Sequence, residues 1–100
     1  MTTETQPIPQ SGAILDIGED IGALLLHVPA HHLEEEIHVA PLDDPDDRTH
    51  TVVREHPLPG GRHAVAALFP TLTTGRYQII GYDIEVSILG GHVTEQHLTT

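Results

Sequence analysis

The feature that most constrains the fold of this chain is a succession of short apolar runs, each closed by glycine, proline or aspartate. Runs of this length, rich in valine, isoleucine and leucine, are typical of β-strands between tight turns. They predict an all-β fold, a seven- or eight-stranded antiparallel sandwich. The runs are AILDI (13–17), IGALLLHV (21–28), EIHVAPL (36–42), HTVVREH (50–56), RHAVAALF (62–69), RYQII (76–80), IEVSIL (84–89) and HVTEQHL (92–98).

The chain divides into an arm and a single domain. Residues 1–11 are polar, contain two prolines and have no apolar periodicity, so they predict a disordered N-terminal arm. Residues 12–100 have the length of one ordinary domain. Hydrophobic residues make up 38% of the chain but only three residues are aromatic, which predicts a core of aliphatic side chains.

Two of the runs differ in how clearly they alternate. The run 84–89 places its isoleucines and its valine on one face and polar residues on the other, as a half-buried strand requires. The run 50–56 places one valine on each face. The side that carries His50 and His56 is the more basic, so we expect it to face solvent.

The segment HVPAHHLEEEIHVAP (27–41) has both helical and strand periodicity. Apolar residues recur at helical spacing after Pro29, yet Glu36 to Val39 alternate and Pro41 ends any helix early. We therefore predict a single helical turn over residues 30–35 and a strand from Glu36 to Leu42.

The charge of the chain excludes some classes of partner. Fifteen acidic residues against four Lys and Arg give a formal charge of −11, which repels nucleic acids and anionic membranes. A cation or a basic protein surface fits better, although the acidity also serves solubility alone. No basic segment followed by an apolar leader opens the chain, and no run approaches membrane-spanning length, so the expected location is the cytoplasm.

The sequence contains no catalytic signature. There is no GxSxG, GxGxxG or Walker motif, and no HExxH. The absence of cysteine excludes disulfides, thiolate metal sites and cysteine nucleophiles. The acidic run 43–47 lacks the glycine and the ligand spacing of an EF-hand, so an acidic turn is the preferred interpretation. We predict that the protein is not an enzyme.

The residues of this chain that most indicate a specific chemical role are its nine histidines. Neutral imidazole binds Zn, Cu and Ni, and without cysteine such a site would combine histidine with carboxylate. No HxH pair occurs, so any site has to be assembled across strands. His27 and His63, which lie beside apolar residues, are expected to be partly buried and hydrogen-bonded instead. The candidate metal ligands on predicted solvent faces are His38, His50, His56 and His92.

Two groups of residues carry a resemblance to known families. The last third of the chain resembles transthyretin-like domains, also called prealbumin-like or Cna-B-like sandwiches, through Leu72, Gly75, Tyr77, Gly91, Val93 and Thr94. The segments 12–29 and 48–55 resemble small actinobacterial proteins of unknown function. The resemblance implies a β-sandwich and a lineage, but no activity.

The sequence leaves two functions open. The first is a non-catalytic binding or assembly module, either a homo-oligomer or an accessory subunit, in which an apolar run such as GALLLHV (22–28) pairs with another chain. The second is a His/carboxylate protein that binds Zn, Cu or Ni. In either case the histidines also allow a response to mild acidification.

Overall fold

The computed structural model describes residues 17–98, which form eight strands and two short 3-10 helices. The predicted arm (1–11) and most of the first apolar run (13–17) lie outside the described residues. The predicted all-β sandwich is confirmed, with the larger of the two strand counts. The strands are β1 (Ile21–His27), β2 (Glu36–Pro41), β3 (Thr49–Val52), β4 (Arg54–Pro57), β5 (His63–Thr73), β6 (Gly75–Ile79), β7 (Ile84–Ile88) and β8 (Val93–His97).

The strands form two sheets of four. Sheet A has the order β4-β5-β1-β8, and sheet B has the order β3-β2-β6-β7. Every strand pair is antiparallel except β1 with β8, which run parallel and in register from Ala23 opposite Val93 to His27 opposite His97. The first and the last described strands are therefore hydrogen-bonded neighbours.

The main core consists of aliphatic side chains from both sheets, as the composition predicts. Its aromatic members are Phe69 and Tyr77. The Tyr77 ring is buried while its hydroxyl donates a hydrogen bond to the carbonyl of Thr73 at 2.9 Å, so the polar end of the side chain is satisfied at the edge of the core. The fully buried residues include Leu24, Leu26, Val39, Val53, Ile79 and Ile88.

Strand β1 is buried on both of its faces. Leu24 and Leu26 belong to the main core, whereas Leu25 packs on the opposite face of sheet A with Ala66, Leu68 and Val93. A strand that is covered on both faces has a continuous apolar run rather than an alternating one. The expectation that this run pairs with another chain is wrong, because β5 and β8 already occupy both of its hydrogen-bonding edges.

The run 50–56 is two strands rather than one. Strand β3 lies in sheet B and β4 lies in sheet A, and the fully buried Val53 is the residue between them. Its N–H donates to the carbonyl of Glu35, and its carbonyl accepts from the N–H of Glu34. The change of sheet keeps His50 and His56 on the outer faces of the two sheets. His50 is exposed as expected, but the expectation for His56 is wrong, because its side chain is buried on the outer face of sheet A.

Two further predictions concern local structure. The helical turn in 30–35 is confirmed as a 3-10 helix at Ala30–His32, followed by β2.

Strand β5 continues to Thr73 instead of ending before Pro70. The register between β1 and β5 shifts at this point, which indicates a bulge, and a bulge accommodates a residue without a backbone N–H.

The start of β1 lies very close to the turn between β7 and β8. A Cβ on Gly22 would overlap the carbonyl of Leu89, and a Cβ on Gly90 would overlap the carbonyl of Glu19. Both obstacles are backbone atoms. Glycine is therefore required at these two positions by the close approach of two chain segments. No helix within residues 17–98 is long and apolar enough to cross a membrane.

Candidate metal centre

The structure brings together two of the four histidines that the sequence nominated. His38 in β2 and His50 in β3 are directly opposite each other, with ring centroids 5.0 Å apart. His56 lies in β4 of the other sheet, and His92 is an exposed residue immediately before β8. The four side chains are thus divided between the two sheets and a turn.

A different set of donors meets where β1 and β8 end. His27 is the last residue of β1, and its neighbour in the parallel register is His97, the last residue of β8. Their rings stack with centroids 4.5 Å apart and an interplanar angle of 13°. Glu95, two residues before His97, accepts a hydrogen bond from Nε2 of His27 at 2.7 Å.

These three residues offer three metal-binding atoms in one place. One ligand atom from each of His27, Glu95 and His97 can be chosen so that all three lie within 4.8 Å of one another. Metal-to-ligand distances of about 2 Å place donor atoms roughly 3–3.5 Å apart around a tetrahedral ion. Binding of one ion requires the two stacked rings to turn until a nitrogen of each faces the same point. The backbone register already holds the three residues on one face of sheet A.

The cluster is partly buried. The side chains of His27 and Glu95 are 21% and 17% exposed, whereas His97 is exposed. The second carboxylate oxygen of Glu95, Oε2, is buried and has no hydrogen-bond partner in the described part of the chain. A buried carboxylate oxygen without a donor is costly, since it loses hydration and gains nothing in return. A metal ion would supply the missing partner.

The sequence contained a partial signal for this cluster. Glu95 and His97 are two residues apart on a strand and share a face, so ExH is the carboxylate equivalent of the HxH pairs that we sought. His27 was expected to be partly buried and hydrogen-bonded, which is confirmed. The same expectation of partial burial is wrong for His63, which is exposed. Its proximity to His97 depends on the pairing of the first and last strands, and no local pattern indicates that pairing.

His56 lies on the same face of sheet A but cannot join the cluster. Strand β5 separates β4 from β1, which places their backbones about 10 Å apart. His56 is 7% exposed, and neither of its ring nitrogens has a hydrogen-bond partner among residues 17–98. Burial lowers the pKa of His56 below its usual value of 6.5; the charge of Arg54 lowers it further, and the backbone of Ala66 acts against both.

A cleft elsewhere on the molecule has no histidine in its walls. It has a volume of about 490 Å³, and its walls are residues 41–44, Asp47 and residues 73–77. The acidic run 43–47 forms one side of it, and all of its residues are exposed. Arg76, on the other side, is already paired with Glu85 at 2.6 Å. The run is thus an exposed connection between β2 and β3, as the acidic-turn interpretation expects.

The chain matches no family model, no curated protein and no solved structure. The resemblance to transthyretin-like domains and to actinobacterial proteins stays a prediction. The fold and the site together define a small β-sandwich. Two imidazoles and a carboxylate lie close together where its first and last described strands end.

Proposed function

We propose that this protein binds a divalent transition-metal ion, Zn, Cu or Ni, through His27, Glu95 and His97. The observation that carries the proposal is the convergence of these three donors from β1 and β8 within 4.8 Å. Two imidazole nitrogens and one carboxylate oxygen form a donor set that these ions accept. A tetrahedral ion bound there has a fourth position open to water or to a ligand from another molecule.

Two properties of the surroundings support this function. The hydrogen bond from His27 to Glu95 holds these two side chains close together before an ion arrives, and an ion that binds Nε2 of His27 would take the place of its proton. The net charge of −11 raises the local concentration of cations around the whole molecule. The proposed ligands differ from the set His38, His50, His56 and His92, because the histidines of that set are divided between the two sheets and a turn.

Calorimetric titration with Zn, Cu and Ni tests the proposal. We expect His97→Ala and Glu95→Gln each to weaken the tightest binding event at least about tenfold, as the loss of one ligand in three requires. Glu95→Gln keeps the shape of the side chain and removes its charge. His63→Ala is the matched control, because His63 is an exposed histidine of sheet A outside the cluster. Isotherms that stay unchanged in both ligand variants would refute the function.

A second candidate function is assembly with another protein chain through a sheet edge. Strand β3 ends sheet B and has a hydrogen-bonded neighbour, β2, on one side only. Its residues Thr49 and His50 are exposed, and Val52 is half-buried. An exposed edge strand is a template for a further strand from a partner or from a second copy. This proposal replaces GALLLHV with β3 as the pairing segment.

Sedimentation equilibrium tests self-association by this route. If copies associate through β3, the protein has a mass above that of the monomer, and Val52→Lys returns it to the monomer because a lysine on an edge strand opposes further pairing. Leu89→Lys is the control, since Leu89 is an exposed apolar residue beyond the end of β7 in the same sheet. A monomeric mass at all concentrations contradicts self-association.

A further inference from the structure

A second group of metal-binding side chains lies on sheet B, on the opposite side of the sandwich. His38 in β2 and His50 in β3 are cross-strand partners, with ring centroids 5.0 Å apart and an interplanar angle of 26°. Glu36 lies two residues before His38 on the same face, and its Oε1 accepts a hydrogen bond from Nε2 of His38 at 3.1 Å. The group has the same residue types as the first cluster and no residue in common with it, but its three donors do not lie within 4.8 Å of one another, as those of His27, Glu95 and His97 do.

The backbone fixes the two histidines relative to each other. Directly opposite residues of an antiparallel pair have Cβ atoms roughly 5 Å apart, so two imidazoles at such positions can reach one ion. Strand β2 is held on both sides, by β3 and by β6. The pair is therefore presented by a strand that cannot move away without breaking a central part of sheet B.

The exposure of this group differs from that of the first cluster. The side chains of His38 and Glu36 are 34% and 58% exposed, and His50 is exposed. An ion bound here keeps several water ligands, so its desolvation costs little free energy. Solvent also weakens its attraction to the carboxylate of Glu36. The positive charge of Arg76 on this sheet is paired with Glu85, so it does not oppose a cation.

We infer that His38 and His50 form a second metal site, independent of the first and of lower affinity, with Glu36 holding the ring of His38 through its hydrogen bond. Cu²⁺ is the ion expected to bind most tightly, since imidazole sites follow that order of preference and an exposed pair imposes no geometry against it. The inference goes beyond the proposed function because it uses none of its ligands. The chain then carries up to two ions, one on each sheet.

Titration with Cu²⁺ in the presence of a weak competitor such as glycine tests the second site. We expect two classes of binding in the unaltered protein. The double variant His38→Ala with His50→Ala should lose the weaker class and keep the tighter one. His92→Ala, which removes an exposed histidine outside both groups, should keep both classes. Retention of the weaker class in the double variant overturns the inference.

A complementary variant separates the two proposals. In His97→Ala with Glu95→Gln, the weaker class should persist while the tighter class disappears. If all binding disappears in this variant, the second site does not exist and the proposed function stands. If all binding disappears in the His38→Ala, His50→Ala variant instead, the exposed pair is the site and the proposed function fails. Paramagnetic broadening of the His38 and His50 ring signals by substoichiometric Cu²⁺ in His97→Ala identifies the site directly.

Discussion

His56 is a buried imidazole that makes no hydrogen bond within the described residues. Because burial lowers its pKa below 6.5, the unfolded chain takes up a proton at higher pH than the folded protein does. Stability due to this residue is therefore fully present above pH 6.5 and decreases as the pH falls below that value. His56 thus makes the fold sensitive to mild acid.

The first prediction concerns the replacement of that ring. We expect His56→Leu to raise the free energy of unfolding at pH 5.5 by roughly 1–2 kcal/mol, since an apolar side chain leaves no unpaired polar atom in a buried place. The gain should be smaller at pH 7.5. Urea denaturation at the two pH values measures the difference, with His92→Ala as the exposed control. An equal effect at both pH values contradicts the assigned pKa direction.

The second prediction concerns the close approach of two backbone segments. Gly90→Ala places a methyl group against the carbonyl of Glu19, and neither segment can move aside without disturbing β1 or β8. We expect a loss of about 1–3 kcal/mol, the usual consequence of overpacking. Gly18→Ala adds the same methyl group where no atom lies within 4 Å, and it should change stability far less. Thermal unfolding of the two variants measures the loss of stability in each.

At the scale of elements, the sequence predicted most strands because turn residues bound them. The run 50–56 was predicted as one strand because no glycine or proline marks Val53, where the chain passes from sheet B to sheet A. His56 lies on the outer face of sheet A as the alternation indicates, but it is buried there, and the sequence of its own strand does not indicate that burial. The approach of His27 to His97 was not predictable, because it follows from a pairing between strands at opposite ends of the described chain.

The third prediction tests the change of sheet at Val53. Its side chain is fully buried, and its backbone groups are bonded to Glu34 and Glu35. We expect Val53→Ala to cost about 1–2 kcal/mol through lost burial and a small cavity. Val52→Ala removes the same atoms from a half-buried side chain one residue earlier, and it should cost less than half as much. Equal losses in urea denaturation would contradict the difference in burial between the two valines.

For the molecule as a whole, composition predicted the class of fold and the sign of the electrostatic field around the protein. It did not predict the arrangement of the strands. Short apolar runs and aliphatic residues are sufficient for a sandwich. Which strands become neighbours depends on long-range packing, and here that arrangement also decides which histidines meet carboxylates.

The fourth prediction follows from the charge of the whole molecule. A formal charge of −11 attracts divalent cations over a distance that salt shortens to about 10 Å at 0.1 M. We expect the association rate of Zn²⁺ to fall several-fold when a nitrate salt is raised from low to high concentration, while the dissociation rate changes little. Stopped-flow measurements in competition with a zinc dye measure both rates. A salt-independent association rate contradicts the prediction.

The parallel pairing of β1 with β8 has a mechanical consequence. The residues that enter β1 and those that leave β8 lie at opposite ends of this pair, because both strands run in the same direction. Tension applied at those two points shears the two strands past each other. The evenly spaced hydrogen bonds of the pair therefore carry the force together rather than one after another. An ion bound by both His27 and His97 would link the two strands at the end where β8 leaves the sheet. The strands would then separate under tension only after that link had broken.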